Sequence, residues 1–263
     1  MNTPVIFSNG HAVFIDLDDT LIFTRQLATR AEMVVANLND AKGARALEEA
    51  GLSTESFDPI KFMKQNPKMY LRWSDNPATK EVSDHLIEDR FLKVFTNLRE
   101  VDQKAFRRPD ADGLLSMIAG AAEYHEVLTY GSFQWQILAK MKAAGLYGKV
   151  PYRTVETRNK SELLSTWRRG DGGFVIPTEK GIVAVRNVII VDDNSRNFKD
   201  LPEGAFGIEV VNEYKGRGET MFGWRRANHN QLMWGLGRKG AMLAYEELIK
   251  QGMIISAKDL DHC

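Results

Sequence analysis

Two acids sit two residues apart at the end of an apolar run, Ala12-Val13-Phe14-Ile15-Asp16-Leu17-Asp18-Asp19-Thr20. Carboxylates this close repel each other and lose solvation, so they are tolerable only beside a compensating cation, a metal ion or a lysine. A second run, Val188-Ile189-Ile190-Val191, passes straight into Asp192-Asp193-Asn194. Taken singly, each set of acids could simply cap a following helix, because Asp and Asn are favoured N-caps. Taken together they offer a small cluster of hard oxygen ligands. With no Cys and no nearby His among them, such a cluster suits Mg2+ rather than Zn2+.

Convergence of the two sets demands a particular frame. Both apolar runs read as buried parallel strands that stop at a loop, and ligands in open α/β sheets bind at the carboxyl ends of strands. The pattern predicts strands over 12–16, 125–129, 188–192 and 208–211, with a short one within 150–155. Helical spacing covers 111–119, 133–144, 161–168 and, weakened by Gly235, Gly237 and Gly240, a terminal stretch over 231–251. Residues 171–185 read as an inserted β-hairpin turning near Glu179-Lys180-Gly181. Between Arg25 and Arg107 only helical patterns occur, as in Leu86, Phe91, Val94, Phe95 and Leu98 on one face. One βαβ crossover needs far fewer residues. The expectation is therefore a discontinuous α/β core of residues 1–24 and 108–263 carrying a helical insertion at 25–107.

The chain of 263 residues, 43% of them hydrophobic, can bury one large core plus a smaller insert. Lys+Arg and Asp+Glu balance at 35 each, which leaves no electrostatic footprint for nucleic acid or an anionic membrane. The single Cys is Cys263, so no disulfide framework exists and a reducing compartment is expected. Met1-Asn2-Thr3-Pro4 has no basic-then-apolar leader, and no apolar stretch reaches the roughly 20 residues of a membrane span. A cytoplasmic location is expected, and a protein exported by a signal-less route would share these features.

Asp16-Leu17-Asp18-Asp19-Thr20 resembles the first signature of the haloacid dehalogenase-like phosphohydrolases. Three further signatures follow in order. They are Glu126-Val127-Leu128-Thr129, a strand ending in Thr; Asn159-Lys160-Ser161-Glu162, a Lys opening a helix; and the Asp192-Asp193 strand end. Arg108-Pro109-Asp110 is similar to the helix start that precedes the second signature. The resemblance implies a Rossmann-like parallel sheet with helices on both faces, plus an inserted helical cap. It implies a Mg2+-dependent phosphatase that hydrolyses phosphate monoesters, of a small metabolite or a phosphoprotein, through an aspartyl-phosphate.

In that resemblance Asp16 is the nucleophile and Asp18 the general acid and base. Asp16, the backbone carbonyl of Asp18, and Asp192 hold the metal, and Asp193 is an outer partner. Thr129 and the backbone of Tyr130 and Gly131 donate to the phosphate, and Lys160 pairs with phosphate and Asp16. Lys180 is the rival lysine, nearer the fourth motif in sequence but inside the hairpin. Asp18 favours phosphate chemistry over carbon–halogen cleavage, since the dehalogenases of the family lack an acid there. Phosphoryl transfer to another acceptor, or phosphate binding without catalysis, are the alternatives.

Overall fold

The structure, a computed structural model, describes residues 6–23, 103–104, 106–130, 134–155, 159–170, 172–212, 221–227 and 230–260. The helices expected between 25 and 101 lie outside the described residues, as does Gly131. The chain divides into two compact units. One holds Met1–Ile22, Arg107–Ser132 and Gly148–Cys263; the other holds Phe23–Phe106 and Phe133–Tyr147.

In chain order the described elements begin with β1 (Ser8–Ile15), α1 (Ala111–Ala121), β2 (Tyr124–Tyr130), α2 (Gln134–Ala143), β3 (Tyr152–Val155) and α3 (Lys160–Trp167). They continue with β4 (Phe174–Thr178), β5 (Gly181–Asp192), a 3-10 turn (Ser195–Phe198), β6 (Ala205–Val211), β7 (Phe222–Ala227), β8 (Asn230–Leu236), α4 (Gly237–Lys250) and α5 (Ala257–Leu260). Of these, α2 belongs to the second unit, where Ile137 and Met141 are buried and the Leu146 N–H donates to the Met141 carbonyl at 2.8 Å.

The first unit is built on one sheet of order β3-β2-β1-β5-β6-β8-β7, with β4 beside β5. Every pairing is parallel except β4–β5 and β7–β8. Ala12, Val13, Phe14 and Ile15 are all fully buried, as a central parallel strand covered on both faces requires. Each apolar side chain so buried contributes about 1.5–3 kcal/mol.

Parity sorts the two faces. Ala12, Phe14, Leu128, Val188 and Ile190 gather on one face with Leu164 and Trp167 of α3 and Phe198 of the 3-10 turn. The Phe14 ring lies 5.1 Å from that of Trp167 and 6.4 Å from that of Tyr124. On the other face α4 packs on β6 and β8, and α1 packs on β2 and α4. There the Tyr245 hydroxyl of α4 donates to Nε2 of buried His11 at 2.6 Å, and His11 Nδ1–H donates to the Ile255 carbonyl at 2.8 Å. The Rossmann-like sheet with helices on both faces is thus present. Among the described residues no helix is long and apolar enough to cross a membrane.

Three expectations change. The hairpin of 171–185 exists, but its second strand does not stop: β5 runs unbroken from Gly181 to Asp192. Polar Arg186-Asn187 breaks the apolar run, but it carries no Gly or Pro and Asn187 pairs with His11 of β1, so the backbone stays extended. β4 occupies the flank of β5 opposite β1, through Phe174↔Val185, and β6 takes that flank over from Val188. The stretch 231–251 is not one helix. Its first part is β8, parallel to β6, and the helix begins only at Gly237. Leu232-Met233-Trp234 is a short apolar run, whose period cannot separate strand from helix. β7, which no pattern predicted, is the antiparallel edge beside β8.

Candidate active site

The chain goes outward from β1 to β2 and β3 on one side, then returns to β5 and continues to β6 and β8 on the other. The order therefore reverses between β1 and β5. At such a switch point the loops leave in opposite directions and open a crevice at the carboxyl ends of the strands. Ile15 stands in register with Val191, and the Asp16 N–H donates to the Val191 carbonyl at 2.8 Å. Asp16 and Asp192 are the next residues along each strand, both even-numbered, so they fall toward the face that α3 covers.

Lys160 reaches them from that helix. Lys160, Leu164 and Trp167, spaced four and three apart, form its buried stripe. The ammonium, 2% exposed, donates to Asp16 Oδ1 and, at 2.6 Å, to Asp192 Oδ2. Asp192 is fully buried and also accepts from the Asn194 N–H at 2.8 Å and from Asn197 Nδ2 at 2.7 Å. Carboxylate oxygens of Asp16, Asp192 and Asp193 all lie within 4.8 Å of one another. Three carboxylates thus face one ammonium, an excess of two negative charges among hard oxygen donors. That donor set and that deficit fit a divalent cation.

Electrostatics follow from burial. Desolvation pushes the Asp16 carboxyl well above the usual carboxylate range, against the pull of Lys160, and the charges of Asp192 and Asp18 push it further. Burial disfavours the Lys160 ammonium, but Asp16 and Asp192 outweigh it and hold the proton more firmly than in water. Asp193 is pushed up to about 6, first by burial and then by Asp192 and Asp19.

The turn after β1 is tight. Leu21 and Ile22 N–H groups both donate to the Leu17 carbonyl, at 3.0 and 3.1 Å, and Asp19 has φ 58°. β1 ends at Ile15, so the side-chain alternation of an extended strand does not reach Asp18. Asp18 is half-buried, and its charge acts on Asp16. Thr20 locks the two acidic strand ends together: its hydroxyl donates to Asp193 Oδ1 at 3.3 Å and accepts from the Asp193 N–H at 3.0 Å.

Thr129 closes β2 at the same end of the sheet. It is fully buried, and its hydroxyl has no hydrogen-bond partner among the described residues. Tyr130 is half-buried against the core of the α3 face. Lys180 is exposed in the turn before β5, at the opposite end of a 12-residue strand from Asp192. At about 3.3 Å per residue that separation is roughly 35 Å. The structure therefore brings Asp16, Lys160, Asp192 and Asp193 together, sets Thr129 on the neighbouring strand end, and keeps Lys180 away.

Sequence reasoning missed the polar groups that support this set. Asn197 holds Asp192, and Arg108 donates to Asp19 Oδ1 at 2.7 Å. Arg238 and Asn212 reach the same turn from α4 and the end of β6. The spacing Asp192-x4-Asn197 was readable as a turn whose amide returns to the acid; nothing local marked Arg238.

No family model matches this chain, and no curated protein matches it. Among solved structures it is similar to a haloacid dehalogenase-like family hydrolase from Xanthomonas campestris, at 17% identity over 92% of this chain and 96% of that one, with a TM-score of 0.47. It is similar also to the HAD-hydrolase YfnB from Bacillus subtilis bound to magnesium, at 11% identity over 92% and 99% and a TM-score of 0.44. A third is CbbY from Rhodobacter sphaeroides in complex with phosphate, at 17% over 80% and 89% and 0.38. In this chain the strand order reverses between β1 and β5, and the acids and the lysine of the motifs are set around that reversal.

Proposed function

We propose that this chain is a Mg2+-dependent phosphatase that hydrolyses phosphate monoesters through an aspartyl-phosphate on Asp16. One observation carries the reading: a buried ammonium, Lys160, joins the acids at the ends of β1 and β5, and the cluster still has two more carboxyl groups than cations. A dianionic ester needs a nucleophile in line, neutralised oxygens and a proton for its leaving group.

Asp16, Asp192 and the Asp18 carbonyl would hold Mg2+, with Asp193 beside them. Bound there, Mg2+ supplies charge neutralisation for the phosphate oxygens and keeps Asp16 ionised against its burial. The Asp16 carboxylate attacks phosphorus and the ester oxygen departs with a proton from Asp18. Asp18, now a carboxylate, takes a proton from the water that attacks the aspartyl-phosphate, which frees inorganic phosphate and restores Asp16. Lys160 fixes Asp16 and cancels charge through both steps. The unpartnered Thr129 hydroxyl is a ready donor for a phosphate oxygen. Residues 25–107, as a helical cap, would restrict which esters enter, and a small phosphometabolite fits that restriction better than a phosphoprotein.

Hydrolysis of p-nitrophenyl phosphate tests the reading. Turnover is expected with Mg2+, none with EDTA, and none in Asp16→Asn at an unchanged circular dichroism spectrum. Turnover retained in Asp16→Asn removes Asp16 from its role, and Mg2+-independent turnover removes the metal.

A further inference from the structure

The turn that carries Asp18 and Asp19 is held from outside by side chains no motif contains. Arg238, in the first turn of α4 and 6% exposed, donates through Nη1 to the carbonyls of Asp19 at 3.3 Å and Thr20 at 3.2 Å, and to Asn212 Oδ1 at 2.6 Å. Asn212, just past β6, closes the triangle: its Nδ2 donates to the Asp19 carbonyl at 3.0 Å. The two residues come from different elements and meet on one peptide.

That peptide needs holding. Asp19 at φ 58° occupies the left-handed region, which a non-glycine residue adopts only where its surroundings impose it. The turn's own hydrogen bonds use the carbonyl of Leu17, and the Leu21 carbonyl accepts from the Arg108 N–H at 2.8 Å. Arg238 takes the carbonyls of both Asp19 and Thr20.

The placement of Arg238 is built into the chain. Gly235 of β8 and Gly240 of α4 pack directly together, and a Cβ on Gly240 would meet the Met221 carbonyl. That close approach brings the start of α4 against the end of β8 and sets where Arg238 begins. Its burial is costly: desolvation first, then the charge of Arg108, lowers its pKa to about 10. The charges of Asp110, Asp193 and Asp19 act in the opposite sense, but the hydrogen bonds of this guanidinium go to backbone carbonyls and an amide, an arrangement that fixes geometry.

We infer that Arg238, with Asn212, is a positioning residue that holds the Asp19–Thr20 backbone so that Asp18 stands correctly to pass a proton to the leaving oxygen; the inference rests on the phosphatase reading. Neither residue touches the reacting atoms. Misplacing a general acid by about 1 Å costs up to about 10²-fold, and the loss is larger when the leaving group needs its proton more.

The experiment compares full-length wild type, Arg238→Ala, Arg238→Lys and Asn212→Ala with phenyl phosphate, a poor leaving group, and p-nitrophenyl phosphate, a good one, in Mg2+. Amide exchange of the peptide spanning residues 16–22 is followed by mass spectrometry. In Arg238→Ala, kcat should fall about 10²-fold for phenyl phosphate and several-fold less for p-nitrophenyl phosphate, with KM little changed. Arg238→Lys should recover part of the loss, and Asn212→Ala, which keeps the guanidinium, should shift kcat in the same direction by less. Exchange in the 16–22 peptide should rise while β5 and β6 stay protected. Equal losses on both esters with unchanged exchange would assign Arg238 a merely structural role and overturn the inference. If wild type hydrolyses neither ester, the phosphatase reading falls by itself, and exchange alone decides: an unperturbed 16–22 peptide overturns the hold on the turn, and a loosened one sustains it. Should Arg238→Ala fail to fold, Asn212→Ala carries both readouts.

Discussion

Lys160→Met, studied without metal, exposes the charge that the fold tolerates. The ammonium is 2% exposed, and the side chains it joins, Asp16 and Asp192, are 11% and 0% exposed, so solvent screens little. Breaking a buried pair by removing one partner costs about 3–5 kcal/mol, because the other charge is left buried and uncompensated. One cation here serves two anions, which argues for the upper part of that range. Asp192 keeps its bonds from Asn194 and Asn197, which argues against doubling it. A loss of about 4 kcal/mol at a urea slope of about 2 kcal/mol/M moves the midpoint down by about 2 M. The assay is equilibrium urea unfolding in EDTA, read by fluorescence, since Trp167 lies in the core beside α3. Lys180→Met is the control, and an exposed turn residue should shift stability by no more than about 0.5 kcal/mol. Mg2+ should restore the Lys160→Met variant more than it stabilises wild type, because a second cation then stands where the ammonium stood. A Lys160→Met protein within about 1 kcal/mol of wild type in EDTA would mean that Asp16 and Asp192 are not held as charges against Lys160, and the electrostatic account of the site would fall.

Thr129→Val exchanges a buried, unpartnered hydroxyl for a methyl of the same shape. Thermal unfolding should show equal or higher stability, by up to about 1 kcal/mol, while kcat/KM for p-nitrophenyl phosphate falls about tenfold, the worth of one charge-assisted hydrogen bond; a destabilised variant with full activity would contradict the role. His11 gives the pH dependence. Burial lowers its pKa below the usual 6.5 of an imidazole, so on acidification the unfolded chain takes a proton before the folded protein does. Its contribution is complete above about pH 6.5 and is lost as pH falls toward the lower folded value, at no more than about 1.36 kcal/mol per pH unit. Between pH 7.5, 6 and 5 the urea midpoint of wild type should fall more steeply than that of His11→Gln, other groups such as Asp193 and His125 contributing equally to both; parallel profiles would mean that His11 is protonated equally in both states.

What the sequence disclosed was what local pattern encodes. The acids after β1 and β5 announced themselves because a buried strand seldom ends in carboxylates without reason. Lys160 was legible twice over, by its place in the motif order and by sitting on the stripe it shares with Leu164 and Trp167. The boundaries of β5 and β8 were not legible. Arg186-Asn187 interrupts hydrophobicity without interrupting extension, and Leu232-Met233-Trp234 is too short for its period to distinguish strand from helix. Arg238 and Asn212 were invisible for a different reason. They lie more than 190 residues from the turn they hold; the packing of α4 on β8 brings Arg238 there, and the end of β6 brings Asn212.

The register of β5 ties these observations together. A slip of one residue between β1 and β5 would turn Asp192 to the opposite face of the sheet, away from Lys160, and leave its charge buried without that partner. A site with so large a penalty for misregistration needs a strand whose register is set more than once. β5 is twice the usual strand length, and its two halves are fixed by different neighbours. Its carboxyl half pairs with β1 and β6 from Val188 to Val191. Its amino half is clamped by β4 through a turn between Thr178 and Gly181, whose short connection leaves little freedom to slide. The hairpin that looked like an insertion unrelated to the motifs is therefore continuous with the strand that delivers Asp192. Its five in-register pairs, Phe174↔Val185 to Thr178↔Gly181, lengthen that strand, and Phe174 and Ile176 seat it in the core of the α3 face, where a slip would lift apolar side chains out.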